Sequence, residues 1–133
     1  MIYMLDTDTV SMLVRKNPRI VQRLIQHEDD EVCISVLSYA ELAYGLEKKG
    51  SPKLFDEVQT LVAKLSILAF DESQATLYGK IRARLEKAGT PLNDMDMLIA
   101  AAALARGAIL VSHNTQHFSK ISGLRLEDWC TAI

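Results

Sequence analysis

The chain of 133 residues is poor in cysteine, proline and aromatic residues, with two Cys, three Pro and 6% Phe, Trp and Tyr. Two cysteines are too few for a disulfide framework. Cys33 lies in an apolar strand-like run and reads as a buried thiol. With no Cys pair and no other cluster of soft ligands, structural zinc is not expected. Long apolar runs are also missing. The opening Met1-Ile2-Tyr3-Met4-Leu5 is too short, and too uncharged at its start, for a signal peptide. The most apolar later stretch, 97–105, is too short to span a bilayer. No membrane association is expected, and a cytoplasmic protein follows by default. An excess of charge is lacking too: the formal net charge is -2. That argues against a wholly basic nucleic-acid-binding surface, so any such contact must be local or helped by metal ions.

What is present suits a single domain over residues 1–133. Hydrophobic residues make up 49% and charged residues 24%, an ordinary folded composition. A chain of this size can bury roughly two thirds of its unfolded surface. No repeat, linker or low-complexity segment interrupts it.

Apolar runs predict strands at 2–5, 32–36, 67–70 and 108–111, with a short fifth at 124–126. Between them lie amphipathic or small-residue helices. Thr7 or Asp8 caps the helix carrying Val10, Leu13 and Val14. Asn17-Pro18 opens the next, with Pro at its first position. His27 to Glu31 reads as a solvated acidic loop. Ser38 and Glu41 form a capping-box pattern for a helix running through Leu46. Gly50-Ser51-Pro52 opens a helix with an apolar stripe of Leu54, Val58, Leu61 and Leu65. Asp71 or Ser73 starts another, with Leu77, Ile81 and Leu85 inward. Gly89-Thr90-Pro91 ends it, and Asn93 to Asp96 opens a last helix that Gly107 stops. The order βααβααβααβ predicts an α/β fold of three layers, α/β/α, around a mostly parallel sheet of four to five strands.

Ligand sites in such sheets sit at the carboxyl ends of the strands. Asp6 directly follows the first strand, and Glu41 starts the helix after the second. Asn114 follows the fourth, in Val111-Ser112-His113-Asn114. Asp96 reaches the same edge if its helix packs beside strands one and four, and Ala100 and Ala103 permit close approach. Carboxylates gathered in one cleft raise one another's pKa unless a cation relieves them. All-oxygen donors suit Mg²⁺ or Mn²⁺, and such an ion supports phosphoryl chemistry. Each acid also has a plainer account. Helix N-termini favour Asp and Glu; Glu41 can complete a cap with Ser38, and Asp96 with Asn93. Asp6 is less easily explained as a cap, because Thr7 and Asp8 stand in better positions.

Four segments in order carry a family resemblance. Met4-Leu5-Asp6-Thr7, Ser38-Tyr39-Ala40-Glu41-Leu42-Ala43-Tyr44-Gly45, Gly89-Thr90-Pro91 followed by Asp96-Met97-Leu98-Ile99-Ala100-Ala101, and Leu110-Val111-Ser112-His113-Asn114-Thr115-Gln116-His117-Phe118 resemble the motifs of the PIN-domain toxins called VapC. The closing Glu127-Asp128-Trp129 fits as well. The resemblance implies a PIN-like fold and a Mg²⁺- or Mn²⁺-dependent endoribonuclease. It implies metal ligands at Asp6, Glu41 and Asp96, with Asn114 as a fourth catalytic position. A neutral amide there binds metal more weakly than a carboxylate, and holds a water or a substrate phosphate instead. The resemblance further implies structured RNA, often tRNA, as substrate, a VapB-like antitoxin as partner, and a homodimer. Asp8 departs from the Asn common in relatives. It either adds a carboxylate to the site or caps a helix. Asp94 is either a helix-start acid or a water-mediated ligand of a second metal.

Other residues carry weaker signals. Lys80, Arg84 and Lys87, with Arg82 nearby, form a basic stripe that faces either RNA or solvent. Arg15, Lys16, Arg19 and Arg23 form a second group. His113 and His117 read as surface residues, and Trp129 as a cover for the core. Two rival functions stand beside the nuclease. Asp6-Thr7-Asp8-Thr9-Val10 after a strand also fits a haloacid-dehalogenase-like phosphatase with Asp6 as nucleophile. That reading lacks acids directly after a later strand. The other rival is a PIN-like dimeric binding module without catalysis; the retained acids argue against it.

Overall fold

In the computed structural model, residues 1–131 are described. The elements run β1 (Ile2–Leu5), α1 (Thr7–Val14), α2 (Pro18–Gln26), β2 (Glu31–Ser35), α3 (Val36–Lys49), α4 (Pro52–Val62), β3 (Ser66–Leu68), α5 (Glu72–Lys87), α6 (Asp94–Ala105), β4 (Ile109–Val111), α7 (Thr115–Phe118) and β5 (Leu126–Glu127). The sheet order is β3-β2-β1-β4-β5. All four pairings are parallel, so the sheet is parallel throughout rather than mostly so.

Alternation along β1 divides the core into two layers. Met4 points into one cluster with Cys33, Leu110 and the α6 residues Ile99, Ala100 and Ala103. Tyr3 and Leu5 point into the other, with Val10, Ile34, Val58, Val111 and Trp129. Helices therefore cover both faces. Each large apolar side chain buried this way contributes roughly 1.5–3 kcal/mol. The alanines of α6 bury almost its whole circumference, from Met97 to Ala103 apart from a half-buried Leu98. Trp129 is fully buried and its ring stacks on His27 at 5.0 Å, so it covers the core as expected.

Helix ends explain most departures from the sequence expectations. Asp6, not Thr7 or Asp8, is the N-cap of α1; its carboxylate accepts from the Thr9 amide at 2.9 Å. Ser35 caps α3 in place of Ser38, so that helix starts earlier and continues to Lys49, where Gly50 turns left-handed at φ 64°. Ser38 is fully buried inside α3, and the expected capping box with Glu41 does not form. Asn17, Ser51, Asp71 and Asn93 cap the helices they were expected to start. The third strand is shorter, Ser66–Leu68, and the fifth lies at Leu126–Glu127. The four-residue α7 is too short to show periodicity and was not foreseen.

Candidate active site

The carboxyl ends of β1, β2 and β4 meet the start of α6 at one edge of the sheet. There a cleft of about 380 Å³ is lined by Asp6, Thr7, Asp8, Glu41, Asn93, Met95, Asp96, Ile99, Asn114 and His117. All four candidate residues read from sequence (Asp6, Glu41, Asp96 and Asn114) therefore lie on its walls.

Asp6 is the fixed point. Its backbone amide donates to the Val111 carbonyl at 3.0 Å, which extends the β1–β4 ladder by one bond. Its side chain is only 6% exposed. Burial pushes its carboxyl above the usual range; hydrogen bonds from Thr9 and Ser112 pull it back only partly, and Asp8 adds to the rise. Among the described residues, neither Asp6 nor Glu41 has a basic side chain within salt-bridge distance.

Glu41 and Asp96 are held by neighbouring side chains instead. Thr7 Oγ1 donates to Glu41 Oε1 at 2.5 Å and lies 3.0 Å from Ser38 Oγ. Thr7 thus ties the start of α1 to the inward face of α3. Asn93 and Asp96 do form the reciprocal cap expected at α6: the Asp96 amide donates to Asn93 Oδ1, and Asn93 Nδ2 to Asp96 Oδ2. The same Oδ2 also lies 2.8 Å from His117 Nε2. Asp96 thus both completes the cap and lines the cleft. Asn114 stands at the N-cap of α7 without a side-chain capping bond, so its amide is free for the cleft. Its backbone amide donates to Ser112 Oγ at 2.9 Å.

The acids surround the cleft without closing into a tight set. Among the described residues, the group of His, Cys, Asp and Glu ligand atoms within 4.8 Å of one another is His113, Asp128 and Cys130. Like charges repel, and each acid leans on its own neutral or imidazole partner. The group holds one thiol, and its other members lie 15 and 17 positions from His113. β4 and β5 bring together residues that no spacing rule connects.

The structure sorts the remaining candidates. Asp8 is exposed and lines the cleft rather than capping α1. Asp94 turns away, to the Tyr78 hydroxyl at 3.1 Å and to Arg82 at 3.5 Å. Arg19 and Arg23 are spent on the C-terminal segment, through the Cys130 carbonyl and Glu127. His117 lines the cleft, contrary to the surface role expected for it. Thr7, Ser112 and His117 were not singled out as site residues. Their partners lie 34, 106 and 21 positions away, and no local pattern signals such contacts. Beside the acid cleft runs an apolar groove of about 300 Å³. Val14, Leu42, Leu46, Leu54 and Val58 line it, with Thr7 and Glu41 at its junction with the cleft.

Comparison with known proteins points the same way. The family model described as PIN domain matches residues 3–124. The chain is 35% identical over 129 residues to the tRNA(fMet)-specific endonuclease VapC of Salmonella typhimurium, covering 96% of this chain and 98% of that one. It is 34% identical over 128 residues to ribonuclease VapC2 of Haemophilus influenzae, covering 96% and 97%. The structure of VapBC2 from Rickettsia felis, bound to a DNA fragment from its promoter, superposes with a TM-score of 0.90 at 32% identity, covering 97% of this chain and 99% of that one. The DNA-bound VapBC of Salmonella typhimurium superposes equally well, at 35% identity, covering 98% and 99%.

Proposed function

The chain belongs to the PIN-domain family, and from that premise we propose that it cuts structured RNA using Mg²⁺ or Mn²⁺ held by Asp6, Glu41 and Asp96. It is a ribonuclease of the VapC kind, the toxin of a toxin–antitoxin pair. The observation that carries the metal reading is Asp6. A carboxylate buried at a sheet edge, raised in pKa and without a basic partner, needs a cation when ionised. The donor set around it is carboxylate and amide oxygen, which fits a hard divalent ion. The chemistry supplied by such an ion is activation of water and neutralisation of charge on the phosphodiester.

The protein's own groups divide the remaining work. Asp6 is fixed by backbone and cap. Thr7 and His117 aim Glu41 and Asp96 into the cleft. The Asn114 amide holds a water or a substrate phosphate. The Thr7 hydroxyl orients Glu41, and the proposed hydrolysis uses water as its nucleophile. Asp8 adds negative charge to one wall of the cleft. Arg15, at the rim of both the apolar groove and the next hollow, contacts the RNA backbone. A local contact of this kind suits a chain with net charge -2. The relative from Salmonella is specific for tRNA(fMet), and tRNA is the substrate class proposed here.

The apolar groove suits an amphipathic helix from a VapB-like antitoxin. Its junction with the cleft at Glu41 lets one bound segment cover both. The exposed Tyr44, Phe55 and Ile67 leave apolar surface for a homodimer. Among the described residues no helix is long and apolar enough to cross a membrane, and the proposed site of action is the cytoplasm. The phosphatase reading fails on position. The residues after β4 are Ser112, His113 and Asn114, Asp94 and Asp96 belong to the start of α6, and Asp128 after β5 is turned to His113 and the Cys130 amide.

The test is cleavage of a tRNA pool by purified protein with Mg²⁺ or Mn²⁺, beside a chelator control and Asp6→Ala and Asp96→Ala. Metal-dependent cutting lost in both variants is the expected result. Folded wild-type protein that binds metal and cuts no RNA would return the chain to the binding-module reading.

A further inference from the structure

We propose that His113, Asp128 and Cys130 form a second metal site, for a borderline or soft ion such as Zn²⁺. This site is separate from the acid cleft and does not depend on the nuclease reading. A His113 ring nitrogen, an Asp128 oxygen and Cys130 Sγ all lie within 4.8 Å of one another. Nitrogen, oxygen and sulfur together are a donor set that Mg²⁺ avoids and Zn²⁺ prefers.

The group is built rather than incidental. Asp128 Oδ1 accepts from the Cys130 amide at 2.8 Å, while its Oδ2 lies 3.1 Å from His113. Arg19 Nη1 donates to the Cys130 carbonyl at 2.9 Å. The neighbouring Trp129 is wholly buried, and its indole N–H donates to Glu127 at 3.0 Å. The backbone of Cys130 is therefore held at both its amide and its carbonyl, beside the buried Trp129. His113 is open to solvent at 63%, which gives an ion a way in. On binding, the Cys130 S–H bond breaks, sulfur bonds to the ion, and the proton leaves to solvent. His113 adjoins Asn114, and the hollow beside them shares Asp8 and Asn114 with the acid cleft. An ion on His113 thus restrains the loop that presents Asn114 to the cleft.

The probe is Co²⁺ added to the metal-free full chain in excess Mg²⁺. The expected result is one equivalent of Co²⁺ with a thiolate-to-cobalt charge-transfer band, displaced by Zn²⁺. The band persists in Asp6→Ala and disappears in Cys130→Ser, and His113→Gln weakens binding at least about tenfold. Zn²⁺, but not Mg²⁺, also protects Cys130 from alkylation in the wild type. That readout needs no variant. A wild type without the band, or a band that survives Cys130→Ser, overturns the proposal. So does Co²⁺ binding lost only in Asp6→Ala, which would assign the ion to the acid cleft.

Discussion

Asp6 and the pair Glu41 and Asp96 face the same cleft but are held in opposite ways. Asp6 is 6% exposed and fixed by backbone pairing and a helix cap. Glu41 is exposed and Asp96 half-buried, and each sits on a helix wall held by side-chain partners. One acid is rigid and costly to ionise; the other two are adjustable. A metal site can use both, since one anchor sets position while flexible arms complete the geometry.

Replacing the anchor gives the largest effect. Asp6→Asn keeps an oxygen for the Thr9 amide and so preserves the cap. RNA cleavage should fall at least about 100-fold, the upper range for loss of an outer-sphere partner, since a direct ligand matters more. Stability should move the other way. The raised pKa means that the folded, metal-free protein binds a proton at Asp6 more readily than the unfolded chain. Its charge therefore costs stability at neutral pH, and that cost fades as pH falls through the raised value and is gone below the ordinary Asp value. Metal-free Asp6→Asn should melt higher than wild type near pH 7, with the gap closing in acid. Mg²⁺ should raise the melting temperature of the wild type alone. A variant that melts lower at neutral pH would mean that Asp6 is ionised without strain.

Next comes the adjustable wall. His117→Ala frees Asp96 Oδ2 from one of its two side-chain contacts. Mn²⁺ affinity should drop about 10- to 100-fold, as outer-sphere partners typically cost. His117→Gln, which retains a donor, should recover part of it. If affinity holds and only KM rises, His117 touches substrate rather than Asp96. Outside the acids, Leu46→Glu puts a charge into the apolar groove. Burying an unpaired charge at a central contact costs about 2 kcal/mol or more, roughly 30-fold in antitoxin affinity. Cleavage by the free toxin should persist.

How much of this was legible in the sequence follows the same division. The strands were readable because buried parallel strands are continuous apolar runs, and β1 and β4 differ from expectation by at most one residue. Asp6, Glu41 and Asn114 could be placed at this edge by counting from strand ends, which topology fixes, whereas Asp96 reaches the cleft only through the packing of α6. Which side chain held which was not readable. Ser35 and Ser38 are both plausible caps, and only burial of Ser38 under Thr7 decides between them. The β3 edge strand pairs with β2 only from Ser66 to Leu68, and an apolar run alone does not show where that pairing ends. His117 and the His113–Asp128–Cys130 group depend on contacts across 21, 15 and 17 positions. Local pattern carries no trace of these.

The smallest effect is expected where charge is plentiful but far from the anchored acid. Lys80, Arg84 and Lys87 are exposed on α5, whose buried residues Gln74, Ile81 and Leu85 face inward. None of the three lines the acid cleft. Their companion Arg82 is occupied by Glu86 and Asp94. At physiological salt the Debye length is about 8 Å, so solvated charges outside the cleft steer substrate weakly. Reversing all three to Glu should change kcat/KM by less than about threefold and leave kcat alone, whereas Arg15→Glu at the rim should raise KM further. A large rise in KM from the triple variant, relieved by added salt, would instead extend the RNA footprint across α5. The rigid acid would then be the centre of a much wider basic track than the cleft alone implies.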